Sequence, residues 1–138
     1  MTPDEAVAEL TTKSHGWSRQ TLEVWRNAGF HCEYCDTCLL TSSDVYFRGG
    51  HLDHIVPDGG DNVENLALAC AACNFLKRGS DPTEAAPSRA AREDLIEAAK
   101  GIINARRASA KRRLEAAIPL IKVLMAADNT ICAEIERR

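Results

Sequence analysis

The stretch HLDHIVPDGGDNVENLALACAACNFLKRG, residues 51–79, decides what this chain folds into and points to its chemistry. It sets a carboxylate beside an imidazole at Asp53 and His54, and it continues with Asn65 eleven residues after the histidine and Asn74 nine residues later. A histidine supplies a proton acceptor near neutral pH, while carboxylate and amide oxygens suit a hard cation. The order therefore predicts a metal-assisted hydrolytic site.

Two CxxC pairs accompany this stretch, Cys32 with Cys35 in CEYC and Cys70 with Cys73 in CAAC. Together they offer four thiolates, the ligand set of a closed tetrahedral zinc site. The 34 residues between Cys35 and Cys70 exceed the roughly 15 to 20 of the simple four-cysteine pattern. We therefore expect a zinc site with the candidate hydrolytic residues inserted between its two pairs.

Two further cysteines and one histidine are interpreted beside the four predicted zinc ligands. Cys38 extends the first pair to CEYCDTC, so it is an alternative to Cys35, which we favour because the two CxxC pairs then match. His31 is interpreted as a neighbour of the zinc and Cys132 as a packed apolar residue. Six cysteines also allow three disulfides in a secreted protein, but the polar, acidic start MTPDEAVAEL favours a reducing cytoplasm.

The segments LDHIVP, DGGDN, ENLAL and CAACNFLK, in this order, resemble the HNH endonuclease family with its zinc-stapled ββα-metal fold. The resemblance covers about residues 22–79. It implies that His54 is the general base, that Asp53 and Asn74 hold a catalytic divalent cation, and that Asn65 braces the intervening loop. Many members have histidine where Asn74 stands, although asparagine also occurs there, as in the HNH domain of the CRISPR effector nuclease. Because an amide oxygen is a hard ligand, we expect Mg²⁺ or Mn²⁺.

Phosphodiester hydrolysis requires an activated water and stabilisation of charge on the phosphorane-like transition state. Histidine suits the first task, since its ordinary pKa of about 6.5 lies near neutrality. A cation on Asp53 and Asn74 suits the second. Neighbouring residues on a strand point to opposite faces, so Asp53 and His54 require a twisted or irregular strand, or a phosphate between them.

Basic residues suggest DNA as the partner. His51 lies two residues before Asp53, so on a strand both side chains point to the same face. His51 therefore either faces the same cleft or is a surface histidine. Lys77 and Arg78 hold substrate phosphates or are solvated charges at a helix end. Five further charges within eight residues either track DNA phosphates or form a solvated helix face, and these are Arg106, Arg107, Lys111, Arg112 and Arg113.

An N-terminal helical segment is predicted for residues 1–29. Thr2 and Glu5 match a capping box around a first-turn proline, and a second helix is predicted for residues 18–28. We interpret Leu22 and Trp25 in this helix as packing residues.

The HNH unit is predicted to span residues 30–79, with strands and a helix at residues 45–47, 50–56, 65–69 and 70–78. Residues 80–138 are predicted to form a linker and a helical tail in which Pro119 kinks or splits the helix. Apolar positions of the tail repeat at helical spacing, so they pack on the nuclease unit, fold back on each other, or form a homodimer seam.

Taken together, the 138 residues predict an α+β protein: a small ββα-metal unit with a structural zinc, flanked by helical segments. No apolar run approaches the roughly 20 residues that span a bilayer. The net charge of −3 argues weakly against indiscriminate binding of nucleic acids. We expect a metal-dependent DNA endonuclease. The alternatives are a catalytically silent, zinc-stapled nucleic-acid-binding module and a protein-binding adaptor that uses the helical tail.

Overall fold

The computed structural model describes residues 1–87 and 89–137. These residues form helices and a small two-stranded sheet, which confirms the α+β class. The elements in chain order are α1 (Pro3–Leu10), α2 (Arg19–Asn27), α3 (Ser43–Gly49), β1 (His51–His54), β2 (Leu66–Ala69), α4 (Ala71–Lys77), α5 (Arg92–Ala127) and α6 (Ala133–Glu136). Short 3-10 turns occupy Val63–Asn65 and Pro82–Glu84. The chain divides into two compact units between Ile103 and Asn104.

The two N-terminal helices begin where the sequence predicts. The Thr2 side chain accepts from the amide of Glu5 while the Glu5 carboxylate accepts from the Thr2 amide, so the capping box is confirmed. Ser18 caps α2 by accepting from the Thr21 amide. In α2, Leu22 and Trp25 are buried, as a packing role requires.

The sheet is an antiparallel hairpin of β1 and β2 in which Asp53 lies opposite Ala67 and His54 opposite Leu66. All four residues of β2 are buried, because both faces of this strand are covered. The strand predicted for residues 45–47 is wrong. These residues belong to α3, whose first turn is capped by the Ser42 side chain accepting from the Val45 amide.

Two groups of apolar side chains form the core of the first unit. One lies around the cysteines and includes Tyr34, Ile55 and the early residues of α5, namely Ile96, Ala99 and Ile103. The other lies between α2 and the other face of the hairpin. It consists of Val24, Trp25, Leu39, Leu66 and Leu68. The first apolar stripe of the tail therefore packs on the cysteine-bearing unit, one of the arrangements that the sequence left open.

The second unit contains the remainder of α5 and α6. Pro119 lies inside α5, which is one continuous helix rather than two. Ile118 is buried, whereas Leu120, Val123 and Leu124 are exposed. None of the helices in the described part of the chain is both long and apolar enough to cross a membrane.

Candidate active site and zinc centre

The four predicted zinc ligands come together. The Sγ atoms of Cys32, Cys35, Cys70 and Cys73 all lie within 4.8 Å of one another, and those of Cys35 and Cys70 are 3.7 Å apart. A tetrahedral ion with Zn–S bonds of about 2.3 Å separates its sulfurs by roughly 3.8 Å. The donor set and its spacing therefore fit zinc.

Local backbone structure presents these sulfurs. Cys70 is the N-cap of α4, and its Sγ accepts a hydrogen bond from the Cys73 amide at 3.4 Å. Within residues 1–87 and 89–137, the four cysteines are the one group of three or more His, Cys, Asp or Glu side chains close enough to share an ion. Cys38 lies outside this group and pairs through its backbone with His31, so Cys35 rather than Cys38 completes the set.

Contacts within the cluster shift the pKa values of two of its thiols in opposite directions. A hydrogen bond with the Cys70 sulfur, together with burial, raises the pKa of Cys32 to about 12. The same hydrogen bond lowers the pKa of Cys70. Because metals bind thiolates, an ion that enters this cluster must displace the Cys32 proton.

The first cysteine pair is anchored to the hairpin by Glu33. Its amide donates to the Leu68 carbonyl at 2.8 Å, and its carboxylate accepts from the Leu68 amide at 2.9 Å. Arg92, at the start of α5, donates to the same carboxylate from both terminal nitrogens at 2.8 and 3.1 Å. Arg92 also donates to the Leu66 carbonyl. This network closes the free edge of β2 and was not predicted, since it joins residues far apart in sequence.

Asp53 on β1 is held from two sides. The Tyr34 hydroxyl donates to its Oδ2 at 2.6 Å, and the Lys77 ammonium lies 3.0 Å from the same oxygen. Both contacts are to Oδ2. Asp53 is therefore a carboxylate fixed in place through one of its two oxygens.

The position of Lys77 corrects a sequence-based prediction. Its side chain is only 3% exposed, and its ammonium also donates to the His54 carbonyl at 2.8 Å. Neither a phosphate contact nor a solvated helix end describes such a residue. Lys77 neutralises a buried acid and ties α4 to β1.

Tyr34 reaches Asp53 from between the two cysteines of the first pair. Burial, followed by the charge of the neighbouring Asp53, raises the pKa of this phenol well above its usual range. The phenol therefore keeps its proton and donates a hydrogen bond to the carboxylate. Nothing in the spacing of CEYC reveals this contact.

His54 faces a more open environment than Asp53. Its side chain is 42% exposed, and its Nε2 lies 2.6 Å from Oδ1 of Asp61, a residue that the sequence did not single out. The Asp61 carbonyl in turn accepts from the Gln20 side chain of α2 at 2.7 Å. The imidazole is thus oriented by the loop between the strands and is accessible to water.

Asn65 joins the ends of that loop. Its side-chain oxygen accepts from the Val56 amide at 3.0 Å, and its nitrogen donates to the carbonyls of Val56 and Gly60 at 3.0 and 2.9 Å. A Cβ placed on Gly59 would lie 2.7 Å from the Asn65 amide nitrogen. These contacts are the ones that a brace for the loop requires.

Asn74 lies in the first turns of α4 and is half-buried. It precedes Lys77 by three residues, so both side chains project from the same helix face. Since Lys77 contacts Asp53 and His54, this face is the one turned towards β1.

Comparison with protein families adds an independent observation to this geometry. Residues 32–78 match the model of the HNH endonuclease family. The resemblance inferred from the sequence is confirmed for these residues, which we call the HNH segment. They include the four cysteines, Asp53, His54 and Asn74. No curated protein and no solved structure gave a match to the chain.

Of the other residues predicted to contact DNA, two belong to the HNH segment and five to α5. His51 is exposed, and its Nε2 is 3.1 Å from the Arg48 carbonyl. Arg78 stacks on the Phe75 ring at 4.3 Å. Of the basic cluster on α5, four residues are exposed and Arg107 is half-buried, and Lys111 lies 3.8 Å from Glu115. Cys132 is half-buried and its Sγ is 3.4 Å from the Glu134 carboxylate.

Proposed function

We propose that this protein is a metal-dependent endonuclease that hydrolyses DNA phosphodiester bonds at Asp53, His54 and Asn74. The observation that carries the proposal is the bridge from Lys77 to β1. It ties the helix that bears Asn74 to the strand that bears Asp53 and His54. The family match is in agreement, since HNH proteins act on nucleic acids.

In this proposal His54 removes a proton from water. The contact with Asp61 favours the tautomer in which Nε2 carries hydrogen, which leaves the Nδ1 lone pair to accept a proton. The exposure of the imidazole gives water and a phosphate access to it. Asp61 orients the ring in the way that a carboxylate commonly orients a catalytic histidine.

Asp53 and Asn74 would hold the catalytic cation through Oδ1 and the amide oxygen. One carboxylate with one neutral oxygen suits Mg²⁺ or Mn²⁺, which keep other positions for water and phosphate. When bound, the cation supplies charge stabilisation for the transition state. Lys77 holds the Asp53 carboxylate in place.

DNA would be held by positive charge outside the active site. His51 and Arg78 are exposed residues of the HNH segment. The basic cluster of α5, Arg106, Arg107, Lys111, Arg112 and Arg113, supplies the densest charge in a chain that is acidic overall. Replacing the five residues with alanine should weaken DNA binding and flatten its salt dependence. An unchanged salt slope would exclude them.

A cleavage assay tests the proposal. Supercoiled plasmid is incubated with zinc-loaded protein and Mg²⁺, using wild type, His54→Ala and His15→Ala. His15 is a matched control, because it is also a half-exposed histidine near a carboxylate, here Glu9 at 3.6 Å. We expect cleavage by wild type and His15→Ala and its loss in His54→Ala. Equal cleavage by all three proteins would indicate a contaminant and contradict the proposal.

One observation favours a second candidate, a catalytically silent zinc-stapled module that binds nucleic acid. The Lys77 ammonium already neutralises Asp53 and thereby lowers its attraction for a cation. Binding of a labelled duplex without cleavage in either Mg²⁺ or Mn²⁺ would support this module. Cleavage that depends on His54 would exclude it.

We also propose that a second copy of the chain contacts the second unit. Leu120, Val123 and Leu124 expose apolar side chains on α5 in that unit. Sedimentation of the wild type against Leu124→Ser tests this, with a dimer expected only for the wild type. The four thiols must stay reduced to bind zinc, so we place the protein in a reducing compartment such as the cytoplasm.

A further inference from the structure

Tyr34 joins the two metal-related parts of the HNH segment. It stands between Cys32 and Cys35, and its hydroxyl donates to Asp53 Oδ2 at 2.6 Å. The residue is 3% exposed, so little water competes for this bond. A charge-assisted hydrogen bond of this length in a buried place restricts the rotation of the carboxylate.

The direction of the phenol is fixed by its neighbours in sequence. Cys32 and Cys35 lie in the four-cysteine cluster, and Glu33 is bonded to both backbone groups of Leu68. In the register of the hairpin, Leu68 lies opposite Leu52, the residue before Asp53. The residue before Tyr34 is therefore fastened to the sheet, and Cys32 and Cys35 on either side belong to the four-cysteine cluster.

We propose that Tyr34 is a positioning residue, which the first cysteine pair places so that its hydroxyl holds Oδ2 of Asp53 and aims Oδ1 at the catalytic cation. The proposal rests on the proposed endonuclease function. It assigns the zinc cluster a second task besides stabilising the fold, because the loop that carries two of its ligands also orients a ligand of the other site. Partners of metal ligands commonly matter in this way.

The test compares the two tyrosines of the chain, Tyr34→Phe and Tyr46→Phe. Each change removes one hydroxyl, and Tyr46 is a matched control on α3 whose ring packs on Trp25 at 5.9 Å. Zinc content is measured first, and both variants should retain one ion. Tyr34→Phe should then bind Mn²⁺ about tenfold more weakly and require about tenfold more Mg²⁺ for half-maximal cleavage, with an unchanged KM for DNA. A Tyr34→Phe variant whose Mn²⁺ affinity and Mg²⁺ requirement equal those of Tyr46→Phe would overturn the proposal.

A second measurement does not depend on cleavage. Melting temperatures are recorded for Tyr34→Phe, Asp53→Ala and the double variant. The proposal predicts shifts that are clearly not additive, because both changes remove the same bond. Additive shifts would overturn it. A wild type that binds Mn²⁺ but does not cleave DNA would defeat the proposed function alone, and the Mn²⁺ titration and the melting cycle would still decide the role of Tyr34.

Discussion

The ammonium of Lys77 lies 3.0 Å from Oδ2 of Asp53, and the two side chains are 3% and 12% exposed. The same ammonium donates to the carbonyl of the next residue, His54. One buried cation on α4 thus fixes two consecutive residues of a four-residue strand. A short hairpin has few other means of holding an acid and a base in a defined geometry.

Replacing Lys77 with methionine should destabilise the protein strongly. The change keeps most of the side-chain volume but leaves the Asp53 carboxylate buried without its cation, which typically costs about 3–5 kcal/mol. Urea denaturation followed by circular dichroism measures the free energy of unfolding.

Lys100→Met is the matched control for that change. Lys100 pairs with Glu97 on the surface of α5, and exposed pairs of this kind contribute about 0–1 kcal/mol. Equal losses of stability in the two variants would contradict the role assigned to Lys77.

Removal of zinc should unfold the HNH segment. The core around the cysteines is small, and structural zinc contributes apparent binding energies of about 10–16 kcal/mol in small domains. Cys73→Ser should therefore lose bound zinc and most near-ultraviolet dichroism. Cys132→Ser, which changes a cysteine outside the cluster, should retain both. A Cys73→Ser variant with wild-type zinc content and melting temperature would refute the assignment.

Zinc binding should release protons, and its apparent affinity should rise with pH. In the metal-free cluster the pKa of Cys32 is raised to about 12, so this thiol is protonated at every pH below that value. The ion must displace that proton, and acidification therefore opposes binding. Calorimetric titrations in two buffers with different ionisation enthalpies measure the release. Identical heats in both buffers would show that no proton leaves.

Gly59→Ala should weaken the loop between the strands. The new Cβ would lie within 2.9 Å of three atoms of the Asn65 side chain, which already makes three hydrogen bonds. Crowding of this kind costs roughly 1–3 kcal/mol.

Gly101→Ala provides the contrasting case for Gly59→Ala. Gly101 lies within α5 and has open space around it, so alanine should stabilise the helix by roughly 0.5–1 kcal/mol. Thermal melting of both variants measures the two changes in stability. Stabilisation by alanine at position 59 would mean that Asn65 does not close the loop.

The sequence carried enough information to predict the zinc cluster, both strands of the hairpin and α4. CxxC spacing is a local constraint, and the apolar run LALA between Asn65 and Cys70 has the length of a buried strand. The strand predicted at residues 45–47 was wrong because Val45, Tyr46 and Phe47 favour strands by composition. The Ser42 cap and the packing of the Tyr46 ring on Trp17 and Trp25 select a helix instead.

Sequence patterns do not predict contacts between residues that lie far apart in the chain. Lys77 at a helix end has the pattern of a surface charge, and only the position of Asp53 beneath α4 makes it a buried partner. Tyr34 and Glu33 stand in a metal-binding turn, where spacing reports on the cysteines alone. Asp61 lies among loop residues that give no signal until His54 is placed beside it.

We propose that Asp53 and Asn74 form one cation site beside His54. Anomalous diffraction from crystals of the zinc-loaded protein soaked in Mn²⁺ tests it most directly. We predict a manganese peak bonded to Asp53 Oδ1 and to the Asn74 side-chain oxygen, distinct from the zinc at the four cysteines. A map with manganese elsewhere, or with none near Asp53, would show that Asp53 and Asn74 do not form a cation site.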